Sequence, residues 1–494
     1  MIRYARPSTI TPPSRKNFKI NAFGGFKTGI AENLIDLSQS KYCYNYVAGD
    51  GELRQGVGTV KAELKWDGAQ TYVLPQPTKN VKNIFYYNYF KKSENKRDDR
   101  LIVQLVDNEI YSLSILNKSQ TYDLIDGDVG EIYTAVRYKF DDDDCMILAC
   151  EKGLFILSEN TLEKVENAPD IRDICIHNER AFACVKGEGI ALWFSGSLNP
   201  ADWSVSAESG GFINFANYGG ALKKVLSFGG YLYVFREYGI ERVYAYGEQA
   251  EFNVRTVYSS TDRIYEKTVC VCGDKILFLS EKGLHAFDGL NVSPYPSVID
   301  SSDISGRGNY AVATYYKGVY YLNAYLKSMD SDEGSLKEDF LYNNVIIAFN
   351  TTNGCVDIMS DYDIKRFCVL TLENSSALMM CIEPTLQESR ARIISMDFET
   401  CKRCGKPATM YWRTGMTDLG YPEKKKVLKS INVTCEKDLI VGVMLDDEIV
   451  EKRLSYGLQT TININKKFKK FGLYFRTVGI VQRIGNPVIT VDMR

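Results

Sequence analysis

The sequence predicts an all-β chain: a β-propeller of six or seven blades, followed by a small C-terminal β-sandwich. Three observations carry that prediction. A strand–turn–strand unit recurs along most of the chain and is clearest at Thr268 to Leu290, TVCVCGDKILFLSEKGLHAFDGL. The first turn of each unit falls near 97, 142, 178, 229, 273, 317 and 374, a spacing of about 36 to 57 residues and mostly near 44, which is the period of four-stranded blades. From about Thr409 that spacing is lost, and short alternating strands run to the end.

Taken in chain order, residues 1–60 read as a polar N-terminal arm with Pro7, Pro12 and Pro13, one helical turn within Ile30 to Val47, and a hairpin turning at Gly49-Asp50-Gly51. Residues 61–405 hold the repeats. Gly273-Asp274 and Lys282-Gly283 supply the positive φ that tight hairpins need, and the runs between them carry the branched and aromatic bias of sheet. CMILACEKGLFILS (145–158), NERAFACVKGEGIALWF (178–194) and GGYLYVFREYGIERVY (229–244) repeat the unit, and the copy at 376–396 is degraded. A blade cannot bury both of its faces alone, so neighbouring units must stack around an axis. An acidic insertion, Lys327 to Asp339, interrupts the sixth unit as a loop. Residues 406–494 carry seven short strands and form the sandwich.

Composition narrows the function. Net charge is −2, which disfavours a general nucleic-acid binder, and 33 tyrosines suit sheets and large interfaces. No apolar run reaches the length of a membrane helix, and the N-terminus lacks the apolar region of a signal peptide. Thirteen scattered cysteines, mostly in strands, suit reduced core thiols made in a cytosol.

Candidate chemistry is sparse. His177 and His285 have no sequence partners, so triads and histidine metal sites are poorly supported. Cys401 and Cys404 form half of a zinc knuckle; a second pair is missing, and distant Cys435 is the available complement. Asp141 to Asp144 lacks the spacing of a calcium loop and reads as a solvated turn. There is no P-loop, and no Ser-x-Asp-x-Gly-x-Thr-Trp turn of the sialidase propellers. No cofactor and no enzymatic activity are expected. The sandwich is locally basic, with clusters at Lys424, Lys425, Lys426 and at Lys466, Lys467, Lys469, Lys470. These read as facing DNA phosphates, a neighbouring subunit, or simply solvent.

Several segments resemble one family. Phe23-Gly24-Gly25, Ala31 to Ile35, Asn45, Asp50 to Arg54 and Gly56 are similar to the opening of tail hub or nozzle proteins, the head-to-tail stabilisation proteins of short-tailed bacteriophages. LWFSGSLNPADW (192–203) and WRTGMTDLGYPEKKK (412–426) resemble two later segments of that family. The insertion at 327–339 and the Cys401/Cys404 pair depart from it. The resemblance implies a non-enzymatic virion tail protein, made in the host cytoplasm, that assembles as a ring of six. It would contact portal and adaptor proteins above and distal tail proteins below, with transient, non-specific contact to genomic DNA in the channel. The alternative is a glycan-binding or glycan-cleaving propeller of a phage tail appendage.

Overall fold

The computed structural model describes residues 13–49, 51–66, 70–91, 94–140, 143–187, 189–206, 209–216, 218–295, 299–306, 309–329, 343–373, 375–382, 392–436, 438–454, 457–478 and 483–493. Most of the polar arm, Asp141 and Asp142 of the carboxylate run, and residues 330–339 of the acidic insertion lie outside them.

Seven blades surround one axis. Each of the first five is a sheet of four consecutive antiparallel strands; blade one is Val81–Lys91, Lys96–Leu105, Ile110–Ser114 and Asp123–Ile125. Blades two to five begin at Ile132–Phe140, Ile171–His177, Leu222–Phe228 and Cys270–Cys272. Blade six runs through Val312–Tyr316, Val319–Leu326, Val345–Asn350 and Val356–Ser360. Blade seven takes only Ile364–Thr371, Ser376–Ile382 and Ile393–Asp397 from this part of the chain. Its fourth strand is Gly58–Lys61, paired antiparallel as Ile394↔Lys61 and Asp397↔Gly58. The blade count is therefore seven, and each first turn expected from the sequence joins, within a few residues, the first and second strands of a blade.

The second strands show why the repeat is so legible. Side chains alternate across a strand, and here both faces are buried. In Arg180–Val185, Ala181 and Ala183 pack with Ile147 and Ile174 toward blade two, while Phe182 and Cys184 pack with Leu222 and Val234 toward blade four. In Tyr231–Arg236, Leu232 and Val234 face blade three, and Tyr233 and Phe235 face Ile276 and Phe278 of blade five. Each such strand is a near-continuous apolar run because it is covered on both sides.

The sandwich is not made from residues 406–494 alone. One sheet orders Tyr46–Gly49, Glu52–Gln55, Arg483–Met493, Lys426–Cys435 and Gly457–Phe468, with Ser14–Lys19 also paired to Arg483–Met493. The other orders Tyr42–Tyr44, Thr409–Arg413, Phe471–Val478, Leu439–Leu445 and Glu448–Leu454. Residues read as a separate arm and hairpin thus supply strands to both sheets. Trp412 fills the space between the sheets, stacked on Phe475 at 5.7 Å and met edge-on by Phe23 at 5.0 Å. The same core continues into blades five and six through Leu277, Leu322 and Ile347, so the two domains share one interior. Among the described residues, helix is limited to short 3-10 turns, and no helix is long and apolar enough to cross a membrane.

Candidate functional site

The joint between propeller and sandwich is built on Asn45. It lies between Tyr42–Tyr44 and Tyr46–Gly49, at φ 58°, in the left-handed region that asparagine tolerates. Its Nδ2 donates to Ser360 Oγ at 2.9 Å and to Thr409 O at 2.7 Å, and its Oδ1 accepts from Ser360 N at 3.1 Å. One side chain thereby ties blade six to the sandwich sheet that contains Thr409. Gly56 N donates to Asn45 O at 2.8 Å, and a Cβ on Gly56 would sit 2.6 Å from that oxygen. Beside the joint lies a small apolar cavity of about 190 Å³, bounded by Asn45, Val57, Tyr321 and Asp357 among others. Burial pushes the Asp357 carboxyl up to about 7.

The two lysine clusters meet in the fold, because Val427 pairs with Lys467 and Leu428 with Lys466 across neighbouring strands. They do not form one free basic face. Lys426 is buried, with Nζ donating to Asp418 O at 3.0 Å and Tyr421 O at 2.6 Å, so its ammonium is satisfied within the fold. Lys466 pairs with Glu448, and the backbone N–H groups of Lys469 and Lys470 are held by the Asp446 carboxylate. Lys424, Lys425, Lys467, Lys469 and Lys470 remain exposed at this edge.

The cysteine pair is separated in role. Cys401 is buried and its Sγ donates to Asn45 O at 3.5 Å, whereas Cys404 is half-buried in a turn at φ 47°. Cys435 is buried in the same core as Cys401. Among the described residues no group of three or more His, Cys, Asp or Glu side chains is arranged to hold a metal ion. His177 lies 2.8 Å from Ser227 Oγ, and His285 stacks on Phe278 at 5.4 Å. Burial lowers the pKa of both. Asp144, the end of the carboxylate run, is buried and accepts from Arg137 Nη2 at 2.6 Å and from Phe90 N at 3.0 Å, so it joins blade two to blade one.

A further cavity lies where no sequence motif pointed. About 590 Å³ in volume, it is lined by the innermost strands of all seven blades, from Asn83 of blade one to Phe367 of blade seven, and so lies on the axis. In five blades the first strand carries a register shift, between Val81/Asn83, Ile132/Thr134, Ile171/Asp173, Leu222/Lys224 and Ile364/Arg366. A bulge leaves one residue unpaired and re-aims it. Four of those skipped residues, Tyr133, Arg172, Lys223 and Lys365, line the cavity. Lys186, Lys224, Lys267 and Arg366 join them, against only Glu131, Asp173 and Glu266. Seven cations against three carboxylates leave a formal excess of four positive charges, in a chain whose net charge is −2.

Each carboxylate already has a cation. Arg172 Nη2 meets Glu266 at 2.7 Å, Lys224 Nζ meets Asp173 at 3.2 Å, and Lys82 meets Glu131 at 3.0 Å. Burial opposes ionisation of Glu266, but hydrogen bonds from Asn309 and Arg172 outweigh it and hold the carboxyl below its usual value. Burial likewise opposes the charge on Lys224, and Asp173 overcomes it. Arg366 finds only neutral acceptors, Asn83 Oδ1 at 3.0 Å and Tyr133 O at 3.2 Å, and the Phe85 ring at 4.2 Å; desolvation lowers its pKa. Lys267 is pushed the same way by desolvation, with partial relief from Glu266. Among the described residues neither Lys223 nor Lys267 makes a hydrogen bond or salt bridge. A signal for this site does exist in the sequence: an aliphatic, basic, polar triplet opens four inner strands, at Val81-Lys82-Asn83, Ile171-Arg172-Asp173, Leu222-Lys223-Lys224 and Ile364-Lys365-Arg366.

No protein-family model and no curated protein matches the chain. Solved structures similar to it include BBS1N in complex with ARL6DN, at 7% identity and TM-score 0.43, covering 67% of this chain and 96% of that one. The N-terminal domain of Nup159 is similar at 7% identity and TM-score 0.39, covering 76% and 99%. The Neurospora crassa Pan2 WD40 domain is similar at 7% identity and TM-score 0.39, covering 66% and 91%. The propeller itself rests on the seven sheets of this chain.

Proposed function

We propose that this chain is a structural subunit of a bacteriophage tail hub or nozzle, assembling as a ring that extends the head-to-tail connector and surrounds the DNA exit path. The supporting observation is where the family-like residues fall. Phe23, Asn45, Gly56 and Trp412 come from distant parts of the chain, yet all serve the fusion of sandwich to propeller: Phe23 and Trp412 in the shared core, Asn45 and Gly56 at the joint. A propeller locked to a second domain by buried hydrogen bonds and a common core is a rigid block with two differently shaped ends. Ring subunits need that property, because any angular play at the joint is multiplied around a closed ring. Eight of the seventeen large hydrophobics exposed among the described residues, including Phe212, Tyr218, Tyr244 and Tyr246, lie between 198 and 246 on blades three and four, which offers apolar surface for lateral contact.

The glycan-processing alternative is less well supported. It calls for free carboxylates beside tryptophan in one pocket, whereas the axial carboxylates are all ion-paired and Trp203 and Trp412 are buried. Light scattering of the purified chain, alone and with the portal and adaptor proteins of its own phage, tests the proposal. A mass of about six copies, alone or on the adaptor, is the expected result. A monomer indifferent to both partners would remove the nozzle reading.

A further inference from the structure

We propose that the axial cavity is a binding site for a compact multivalent oxyanion of the polyphosphate class, one molecule per propeller. The inference does not rest on the assembly reading.

Three features carry it. The first is composition: seven lysine and arginine side chains against three carboxylates line one partly open space on the axis, Lys186 also facing Asp170 at 4.0 Å, in a chain that is otherwise slightly acidic. The second is the state of those charges. Partly desolvating a cation without a counter-charge is costly. Arg366 and Lys223 are half-buried and Lys267 is exposed at the cavity, and none of the three has a carboxylate of its own, since the three acids on the wall are committed to Arg172, Lys224 and Lys82. The third is backbone construction. The bulges that turn Arg172, Lys223 and Lys365 toward the axis each interrupt a strand ladder, and such bulges open the inner strands of five of the seven blades.

The shape of the site selects the ligand. The volume of about 590 Å³ falls in the usual range for small-molecule sites, about 300–1,000 Å³, so it suits a small molecule rather than a nucleic-acid duplex. The cations come from different blades around a ring, so a single phosphate touches only part of the set. A chain of linked phosphoryl groups spreads several negative charges and many acceptor oxygens around that ring. Lysine ammonium groups suit it as mobile point charges, and Arg366 adds a planar donor fork.

The test uses the full chain and sodium tripolyphosphate as the probe, followed by isothermal titration calorimetry at two salt concentrations. Expected is one saturable site per chain with Kd at or below ~100 μM, weakening as salt rises. In the double variant Lys223→Ala/Lys267→Ala the affinity falls at least about tenfold. Because those two side chains make no hydrogen bond or salt bridge among the described residues, the double variant keeps the wild-type circular dichroism and melting temperature measured without ligand. Sodium sulfate at matched ionic strength serves as control and leaves the tripolyphosphate isotherm unchanged. Absence of saturable binding overturns the proposal, as does equal affinity in the double variant or equal displacement by sulfate. So does a short single-stranded oligonucleotide that binds through Lys223 and Lys267 when tripolyphosphate does not. None of these outcomes bears on ring formation, which is read separately by mass.

Discussion

Blades one to five and the sandwich are both antiparallel sheet, but the chain builds them in opposite ways. In the blades every strand pairs with its neighbour in sequence, and the longest ladder spacings are those of a hairpin. In the sandwich Ser14 pairs with Met493 and Tyr42 with Arg413, and blade seven is closed by Gly58–Lys61 some three hundred residues from Ile393–Asp397. The blades are therefore set by local turns and alternation, whereas sandwich and ring closure wait until both chain ends have been made. Long-range pairing carries the larger loop-closure cost, so the two constructions should respond differently to damage.

The largest effect is expected inside a consecutively built blade. Arg236 and Glu241 form a buried pair at 3.3 Å, with further Arg236 bonds to Gly220 O and Ala216 O. Arg236→Ala strands the Glu241 carboxylate and should cost about 3–5 kcal/mol, read as a lower urea midpoint. Asn45→Ala removes three hydrogen bonds at the joint, two of them buried, and should cost about 2–4 kcal/mol. Its distinguishing sign is calorimetric: the single transition of a shared core should split into two, one for each domain. A single, merely lowered transition would mean that Asn45 does not couple them.

Ring closure can be tested at Gly58, where a Cβ would lie 2.2 Å from Thr400 O and 2.5 Å from Lys402 N. Gly58→Ala should cost about 1–3 kcal/mol and speed hydrogen exchange in Ile393–Asp397 more than in blade three. Asp357 gives a pH test of the same region. Its folded pKa of about 7 lies above the ordinary 3.8, so the native state holds the proton more tightly. Stability is then fully present below about pH 4 and is lost as pH rises to about 7. Asp357→Asn should match the wild type near pH 4 and exceed it by about 1–3 kcal/mol at pH 8, allowing for solvent screening. The smallest effect belongs to the exposed pair of Lys466 and Glu448, where Lys466→Ala should change stability by about 0–1 kcal/mol.

The legibility of the molecule follows the same division. GLFILS and YLYVFR announce themselves because a strand covered on both faces must be apolar throughout. The closing strand GTVK is four residues long and has no such signature, since its partner, not its composition, makes it part of blade seven. Asn45 stood out only through a family resemblance; that it accepts and donates to Ser360 and Thr409 depends on segments more than three hundred residues away. Lys426 looked like its neighbours Lys424 and Lys425, but the Asp418 and Tyr421 carbonyls draw it inside. The axial cavity was spelled out in repeated triplets, yet each reads alone as an ordinary charged strand start. Only their convergence gives the charge excess.

By itself the sequence determined the strand pattern, the seven first turns and the change of character near Thr409, because turn chemistry and alternation act within a few residues. Tertiary structure alone decided which strand closes the ring, that both chain ends build the sandwich, and that basic residues from separate blades face one another across an axis. Those are consequences of spatial closure, which brings together residues that no local pattern links.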